Sequence, residues 1–244
     1  MIHETFCSTW FEYKRRISDL ALDSEPHEAE RYLFRGQGNA KWRLSSSFSR
    51  AFASYPPEKQ DDIEEKLLAN FGKELEGHPE FRDLASDRVS LTALAQHSGV
   101  PTRLLDWTES PYVAAFFAFQ GHFYARITQH VPEQTVAVWA LDSNSHVWSE
   151  RQGVRLISVP GWYNERVRAQ YGAFTESRTP FSCLEEYVEQ FDDPSEPLQK
   201  FVMSSTLART AMADLHWMGI RHSALFPGLD GHARAAITRT MLAV

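Results

Sequence analysis

The segment at residues 102–119, TRLLDWTESPYVAAFFAF, constrains the fold more than any other part of the chain. Its first seven residues form a short stretch that is apolar at its centre, which is typical of a strand. Ser110 followed by Pro111 is typical of a helix start, because a serine hydroxyl caps the first turn and proline suits the first helical position. The apolar run that follows predicts a buried helix.

The rest of the chain alternates between strand and helix patterns without internal repeats. The patterns predict strands at 31–36, 135–141, 153–158 and 199–205, and helices at 5–22, 56–76, 90–97 and 205–218. We therefore expect a mixed α/β fold, with one domain spanning residues 1–244, a small central sheet and flanking helices.

Composition excludes several classes of protein. A formal net charge of −7 argues against binding a nucleic-acid backbone over a whole face, although it leaves room for a local basic groove. Cys7 and Cys183 make no disulfide framework and have no zinc-type spacing, which favours a reducing, cytoplasmic location. The 10 histidines form no metal-binding motif, and no apolar run is long enough for a membrane span, so we expect neither a metal nor a membrane partner.

The charged residues inside the apolar segment need an explanation. In a regular strand Arg103 lies on one face and Asp106 on the other, so each needs a partner elsewhere. The FRGQG stretch at 34–38 places Arg35 at the end of a predicted strand and makes it a candidate partner for Asp106. Arg35 could equally hold a phosphate or carboxylate ligand, with Gly36 allowing close approach of the backbone. Both interpretations remain open on the sequence.

Four stretches together resemble the FRG-domain family, which is named for its Phe-Arg-Gly motif. They are YLFRGQ, LAQHSGVPTRLLDWTESPYVAAFFAF, RAQYGAF and LFPGLDG, and the resemblance runs from about residue 31 to about residue 230. Ser98 and Ser110 stand where the family pattern has tyrosine and asparagine. The family is similar to bacterial proteins of mobile and phage-defence loci, which implies a role in a defence or toxin system.

The order of the motifs is similar to that of ADP-ribosyltransferases: an arginine strand, a strand with hydroxyls that leads into a buried helix, and a late Gln or Glu. This similarity implies NAD as the ligand, with Arg35, Asp106 and Gln170 as catalytic residues and Glu176 as an alternative to Gln170. The ligand-binding residues that it implies are Gln37, His97, Thr102, Arg103, Trp107, Thr108, Arg166 and Tyr171.

Two other functions remain open. A non-catalytic, regulatory module could bind a nucleotide or an RNA end, with arginines such as Arg43 on phosphate and Trp42 or Trp107 stacked on a base. The chain could instead bind a partner protein, such as an antitoxin or another defence component. A hydrolytic nuclease is not favoured, because the carboxylates do not cluster as a metal site requires. Whether the chain is catalytic is left open by the sequence.

Overall fold

The computed structural model describes residues 2–22, 31–78, 81, 87–128, 134–158, 165–191, 193 and 195–243. Its strands are β1 (His3–Cys7), β2 (Tyr32–Gln37), β3 (Leu104–Thr108), β4 (Thr135–Asp142), β5 (Val154–Ser158), β6 (Gly172–Ser177) and β7 (Leu198–Ser204). Its α-helices are α1 (Trp10–Leu22), α2 (Ser47–Ala51), α3 (Pro57–Leu75), α4 (Arg88–His97), α5 (Pro111–Thr128), α6 (Glu165–Ala169), α7 (Leu184–Val188), α8 (Ala208–Trp217), α9 (His222–Leu225) and α10 (Leu229–Ala243). Across these ranges, no helix has the length and apolar character needed to cross a membrane.

The strands form one sheet in the order β1-β7-β4-β2-β3-β6-β5. The β1–β7 pair is parallel, and every other neighbouring pair is antiparallel. This mixed sheet with helices packed around it confirms the predicted α/β class. Its most important consequence is that β2, which carries the FRG stretch, lies beside β3, which carries the LLDWT stretch.

Two strands differ from the predictions. The helix predicted over 5–22 begins only at Trp10, because His3–Cys7 forms β1 and pairs with β7 at the sheet edge. The aromatic residues Phe6 and Trp10 imitate helical spacing, yet Phe6 is exposed on the edge strand while Trp10 is buried in the helix. The other difference is β6, which was not predicted because its buried positions include Thr175 and Glu176, polar residues that obscure the strand pattern.

Helix α5 packs directly on the sheet, as its apolar sequence predicts. The backbone N–H of Val113 donates to Oγ of Ser110 at 3.3 Å, so Ser110 caps the helix. One face of the sheet and α1, α5, α8 and α9 share a buried cluster that includes Phe34, Phe116 and Phe119. A second buried cluster, with Trp139 and Tyr187, covers the opposite face.

Gly36 lets α5 approach β2 at very short range. A Cβ atom built on Gly36 would lie 1.8 Å from the carbonyl oxygen of Ala114 and 2.7 Å from the backbone nitrogen of Ala118. Both of those atoms belong to the backbone of α5, so a side chain at this position requires the helix to move. The glycine of the FRG stretch therefore serves close packing of helix on strand.

A buried histidine makes the stability of this helical layer depend on pH. His222 is fully buried; its Nε2 lies 3.1 Å from Oε1 of Gln120 and its Nδ1 lies 3.2 Å from Oγ1 of Thr238. Burial, assisted by the nearby positive charge of Arg234, lowers the pKa of His222 from 6.5 to about 4. The unfolded chain therefore takes up a proton at a higher pH than the folded protein does.

We expect the free energy of unfolding to fall by roughly 3 kcal/mol through this group as the pH drops from about 6.5 towards 4. The contribution of His222 to stability is fully present above the pKa that this side chain has in the unfolded protein, and it is lost on acidification. Urea titrations of wild type and His222→Gln across that range should show a smaller pH dependence in the variant. The exposed His232, changed to Gln, is the control; equal pH dependence of both variants would contradict the assignment.

Candidate functional site: a cation-lined cleft between two motif strands

The backbone pairing between β2 and β3 is reduced to one position. Phe34 pairs with Thr108, whereas β2 pairs with β4 along its whole length. Beyond that position the side chain of Arg35 spans the two strands: its Nη1 donates to the backbone carbonyl of Asp106 at 2.6 Å and lies 3.5 Å from Oδ2 of the same residue. The predicted partnership of Arg35 and Asp106 is confirmed, and it lies where the two motif strands separate.

The carboxylate of Asp106 is held in place yet open to solvent. Its Oδ1 accepts a hydrogen bond from Nε2 of Gln96 at 3.0 Å, and 59% of its side chain is exposed. The Oγ1 of Thr102 donates in turn to Oε1 of Gln96, which sets the orientation of that amide. Asp106 is therefore a positioned anion facing the cleft, and buried Thr102 acts on it through Gln96.

Arg35 lies in an environment that disfavours its charge. Burial lowers the pKa of its guanidinium; the charge and hydrogen bond of Asp106 oppose this shift, while the positive charge of Arg50 adds to it. Its Nε is buried, and no residue in the described ranges accepts a hydrogen bond from it. Because an arginine remains protonated at neutral pH, a bound anion would relieve the repulsion between Arg35 and Arg50.

The space in front of this pair is a cleft of about 1120 Å³. Lys41, Arg43 and Arg50 join Arg35 along its wall, and Asp106 is the one carboxylate that the described residues contribute to the lining. The surplus of cations contrasts with the net charge of −7 of the whole chain. Positive charge concentrated in a concave site attracts an anionic ligand.

Other predicted residues also line the cleft, but several are engaged in holding its wall together. Besides Arg35 and Asp106, the lining includes Gln37, His97, Trp107, Thr108 and Gln170. Trp107 is buried and its indole N–H donates to Oγ1 of Thr175 at 3.0 Å, so it does not offer an open ring face. The Oγ1 of Thr108 donates to the backbone carbonyl of Gln170 at 2.6 Å.

Two of the cleft glutamines, Gln37 and Gln170, are anchored by their amides. Oε1 of Gln37 accepts from the indole N–H of Trp139 at 2.8 Å, and Nε2 of Gln170 donates to the carbonyl of Leu225 at 3.1 Å. These bonds connect the cleft wall to β4 and to α9. Both side chains are thus positioned before any ligand binds.

Arg103 lies apart from the cleft, in a buried network of ion pairs. Its Nη2 lies 2.8 Å from Oδ1 of Asp61, its Nε lies 3.2 Å from Oε2 of Glu64, and its guanidinium stacks over Phe48. Glu64 is also paired with Arg178 at 2.9 Å. Arg103 lies in the bend just before β3, and these ion pairs connect the start of that strand to α3.

Two more candidates, Glu176 and Tyr171, do not line the cleft. Glu176 is buried between Arg155 at 2.6 Å and Arg178 at 3.0 Å, in the same network as Arg103. Tyr171 is exposed at a turn with a φ of 50° and is outside the cleft lining. Arg166 belongs to α6, and its side chain lies outside the described part of the structure.

Sequence reasoning named Trp42 and Arg43 in the turn after β2 but missed the rest of what that turn contributes. The stretch GNAKWRLSSSFSR at 38–50 supplies Lys41, Arg50, Ser45, Ser47 and Ser49 to the cleft wall. Its mixture of cations and hydroxyls was an available signal. Gln96 was missed as well, although it stands next to His97 within the family-like motif. Within the described ranges, no group of three or more His, Cys, Asp or Glu side chains could hold a metal ion.

Comparison with known proteins identifies one part of the chain. A family model described as the FRG domain matches residues 30–125, a range that contains both strands of the cleft and most of α5. No curated protein matches the chain. No solved structure matches it either. Gln170 and the LFPGLDG stretch lie beyond the matched residues.

Proposed function

Because the chain carries an FRG domain whose two motif strands meet at this cleft, we propose that the protein is an NAD-using transferase of the ADP-ribosyltransferase type. The observation that carries the proposal is the Arg35–Asp106 pair, a fixed cation and an exposed carboxylate, in a cleft whose other lining Lys and Arg residues are Lys41, Arg43 and Arg50. The family resemblance implies a bacterial defence or toxin system as its setting, acting on a protein or RNA target in the cytoplasm.

The cation surplus suits the pyrophosphate of NAD. Arg35 and Arg50 lie close enough for their charges to repel each other, and a phosphate between them would neutralise both. Arginine binds phosphate through a planar fork of donors, which gives orientation as well as affinity. Ser47 and Ser49 also line the cleft, with their hydroxyls held by the carbonyl of Thr102 at 3.3 Å and by Oγ of Ser46 at 2.9 Å.

The carboxylate suits the bond that must break. In ADP-ribosyl transfer, the bond between ribose C1′ and the nicotinamide nitrogen breaks, and nicotinamide leaves with the electron pair. The ribose then carries positive charge until a nucleophile of the acceptor bonds to C1′ and releases its proton to solvent. Asp106, already oriented by Gln96, would stabilise that positive charge, while Thr108 and Gln170 shape the wall beside it.

A second function is favoured by a different observation. Asp106 is the one carboxylate that the described residues place on the cleft, so none of them supplies a second carboxylate to activate an acceptor. A regulatory module that only binds a nucleotide, alone or together with a partner protein, needs no such group. We keep this as the alternative to turnover.

Incubation with NAD separates the two functions. Release of nicotinamide, followed by chromatography, is expected if the protein is a transferase or a related glycohydrolase. A rise in melting temperature with NAD, ADP-ribose or AMP, without any release, would favour the binding module instead. If NAD caused no nicotinamide release and no melting shift, both functions would be contradicted.

Arg35→Ala should weaken binding of NAD or ADP-ribose by about tenfold or more, because charge-assisted hydrogen bonds to phosphate are lost. The fold should survive, since the carboxylate left behind is 59% exposed and remains hydrated. Arg35→Lys should recover binding only in part, because a point charge cannot reproduce the planar fork. Calorimetric titration and thermal melting of the three proteins provide the measurement. A large stability loss without ligand, or unchanged affinity, would refute the binding role.

A further inference from the structure

The cleft has an outer rim, formed by Lys41, Trp42 and Arg43, that differs in character from its centre. All three side chains are exposed and line the cleft, and 58% of Trp42 is accessible to solvent. Indole rings contribute most to the stability of a fold when they are buried. A tryptophan presented to solvent between two cations therefore suggests a ligand that stacks and carries negative charge.

The rim is held firmly by its backbone. The N–H of Lys41 donates to Oδ1 of buried Asn39 at 2.8 Å, and the N–H of Trp42 donates to the carbonyl of Asn39 at 3.1 Å. Nη1 of Arg43 donates to Oε1 of Glu186 at 2.8 Å, which connects the rim to α7. The indole is thus presented on an ordered turn, so stacking a ligand on it requires little further ordering of the chain.

We propose that the outer rim binds a single-stranded nucleic acid, which is the acceptor for the transfer reaction; the acceptor role rests on the proposed function. A base would stack on Trp42 while Lys41 and Arg43 contact the flanking phosphates. Ser45, Ser47 and Ser49 line the same cleft as the rim and Arg35.

The size of the cleft supports a second ligand beside the nucleotide. Its volume of about 1120 Å³ exceeds the range of roughly 300–1,000 Å³ that is usual for one small molecule. Of the four cations on the wall, Arg35 and Arg43 are already ion-paired, so the charge on the wall suits only a few phosphates in all. The net charge of −7 limits the footprint to these few phosphates, so a short oligonucleotide is the appropriate ligand.

The test uses two fluorescein-labelled oligonucleotides of about 12 residues, one RNA and one DNA, titrated with protein at about 50 mM salt and followed by anisotropy. Trp42→Ala should lower the affinity about tenfold or more, because stacking on one base is lost. Trp217→Ala is the matched control, since that indole is 88% exposed at the end of α8, away from the cleft lining. It should bind as wild type does. Preference for one oligonucleotide identifies which nucleic acid the rim binds.

Nicotinamide release, measured on the same samples, separates this inference from the proposed function. Oligonucleotide binding that depends on Trp42, without NAD turnover, would support the nucleic-acid site and contradict the transfer. NAD turnover without binding of either oligonucleotide would overturn the inference and favour a protein acceptor. Equal affinities for the Trp42 and Trp217 variants would also overturn it. Lys41→Ala should weaken binding and reduce its salt dependence, which a purely structural role would not do.

Discussion

Asp106→Asn should lower the rate of nicotinamide release at least about 100-fold while the protein remains folded and binds ADP-ribose. The amide keeps the shape of the side chain, and its oxygen can still accept the hydrogen bond from Gln96. It lacks the negative charge that would stabilise the positively charged ribose. The ion pair with Arg35 contributes little to stability because Asp106 is largely exposed, so the loss should appear in turnover. Single-turnover assays with NAD and thermal melting of the variant measure both effects.

The neighbouring Glu109 supplies the control for this change. It is exposed just beyond β3 and is not part of the cleft lining. Glu109→Gln removes the same charge from the same region and should release nicotinamide at the wild-type rate. Equal rates for both variants would show that the carboxylate of Asp106 takes no part in the reaction and would favour the binding module.

Gly36→Ala should lower the free energy of unfolding by about 3 kcal/mol or more, at or above the upper end of what overpacking usually costs. The added methyl group would lie 1.8 Å from the carbonyl oxygen of Ala114, well inside contact distance. A flexible side chain could move away, but this neighbour is the backbone of a helix packed on the sheet. Helix α5 would have to shift away from β2. Urea denaturation of the variant, followed by circular dichroism, is the measurement.

Gly38→Ala is the matched control, two residues further along. Its added methyl group would lie 3.7 Å from the nearest atom, the carbonyl oxygen of Ala118, which is an ordinary contact. It should therefore leave stability nearly unchanged. If Gly36→Ala and Gly38→Ala unfolded at the same urea concentration, the close approach of α5 would not be the reason for glycine at position 36.

The unit built from β3 and α5 could be predicted from the sequence because its signals are local. Ser110 and Pro111 mark the helix start whatever surrounds them, and the alternation along LLDWT assigns Leu104 and Asp106 to one face of the strand. The same alternation shows that Asp106 and Arg103 need separate partners. Arg35 could be named as a candidate partner for Asp106, since an unpaired carboxylate in an apolar segment requires a cation.

The position of Arg103 was decided only by the tertiary structure. The alternation of the strand predicted at 102–108 places Arg103 on the opposite face from Asp106, but it does not show that Asp61 and Glu64 lie on that side. Those acids lie about forty residues earlier, on a helix whose placement depends on the whole fold. A sequence with two charged residues in one strand therefore could not indicate which of them faces a ligand.

The sequence by itself determined the α/β class, the helix that begins at Pro111 and the need for partners to the charges in β3, because propensity, capping and alternation act between neighbours along the chain. Only the tertiary structure decided that β1 and β6 are strands, that β2 lies beside β3, and that the turn carrying Trp42 forms the rim of the cleft. Strand partners and cleft walls come from residues far apart in the chain. The free energy of pairing these strands and forming these walls depends on packing across the whole sheet, which no local sequence pattern encodes.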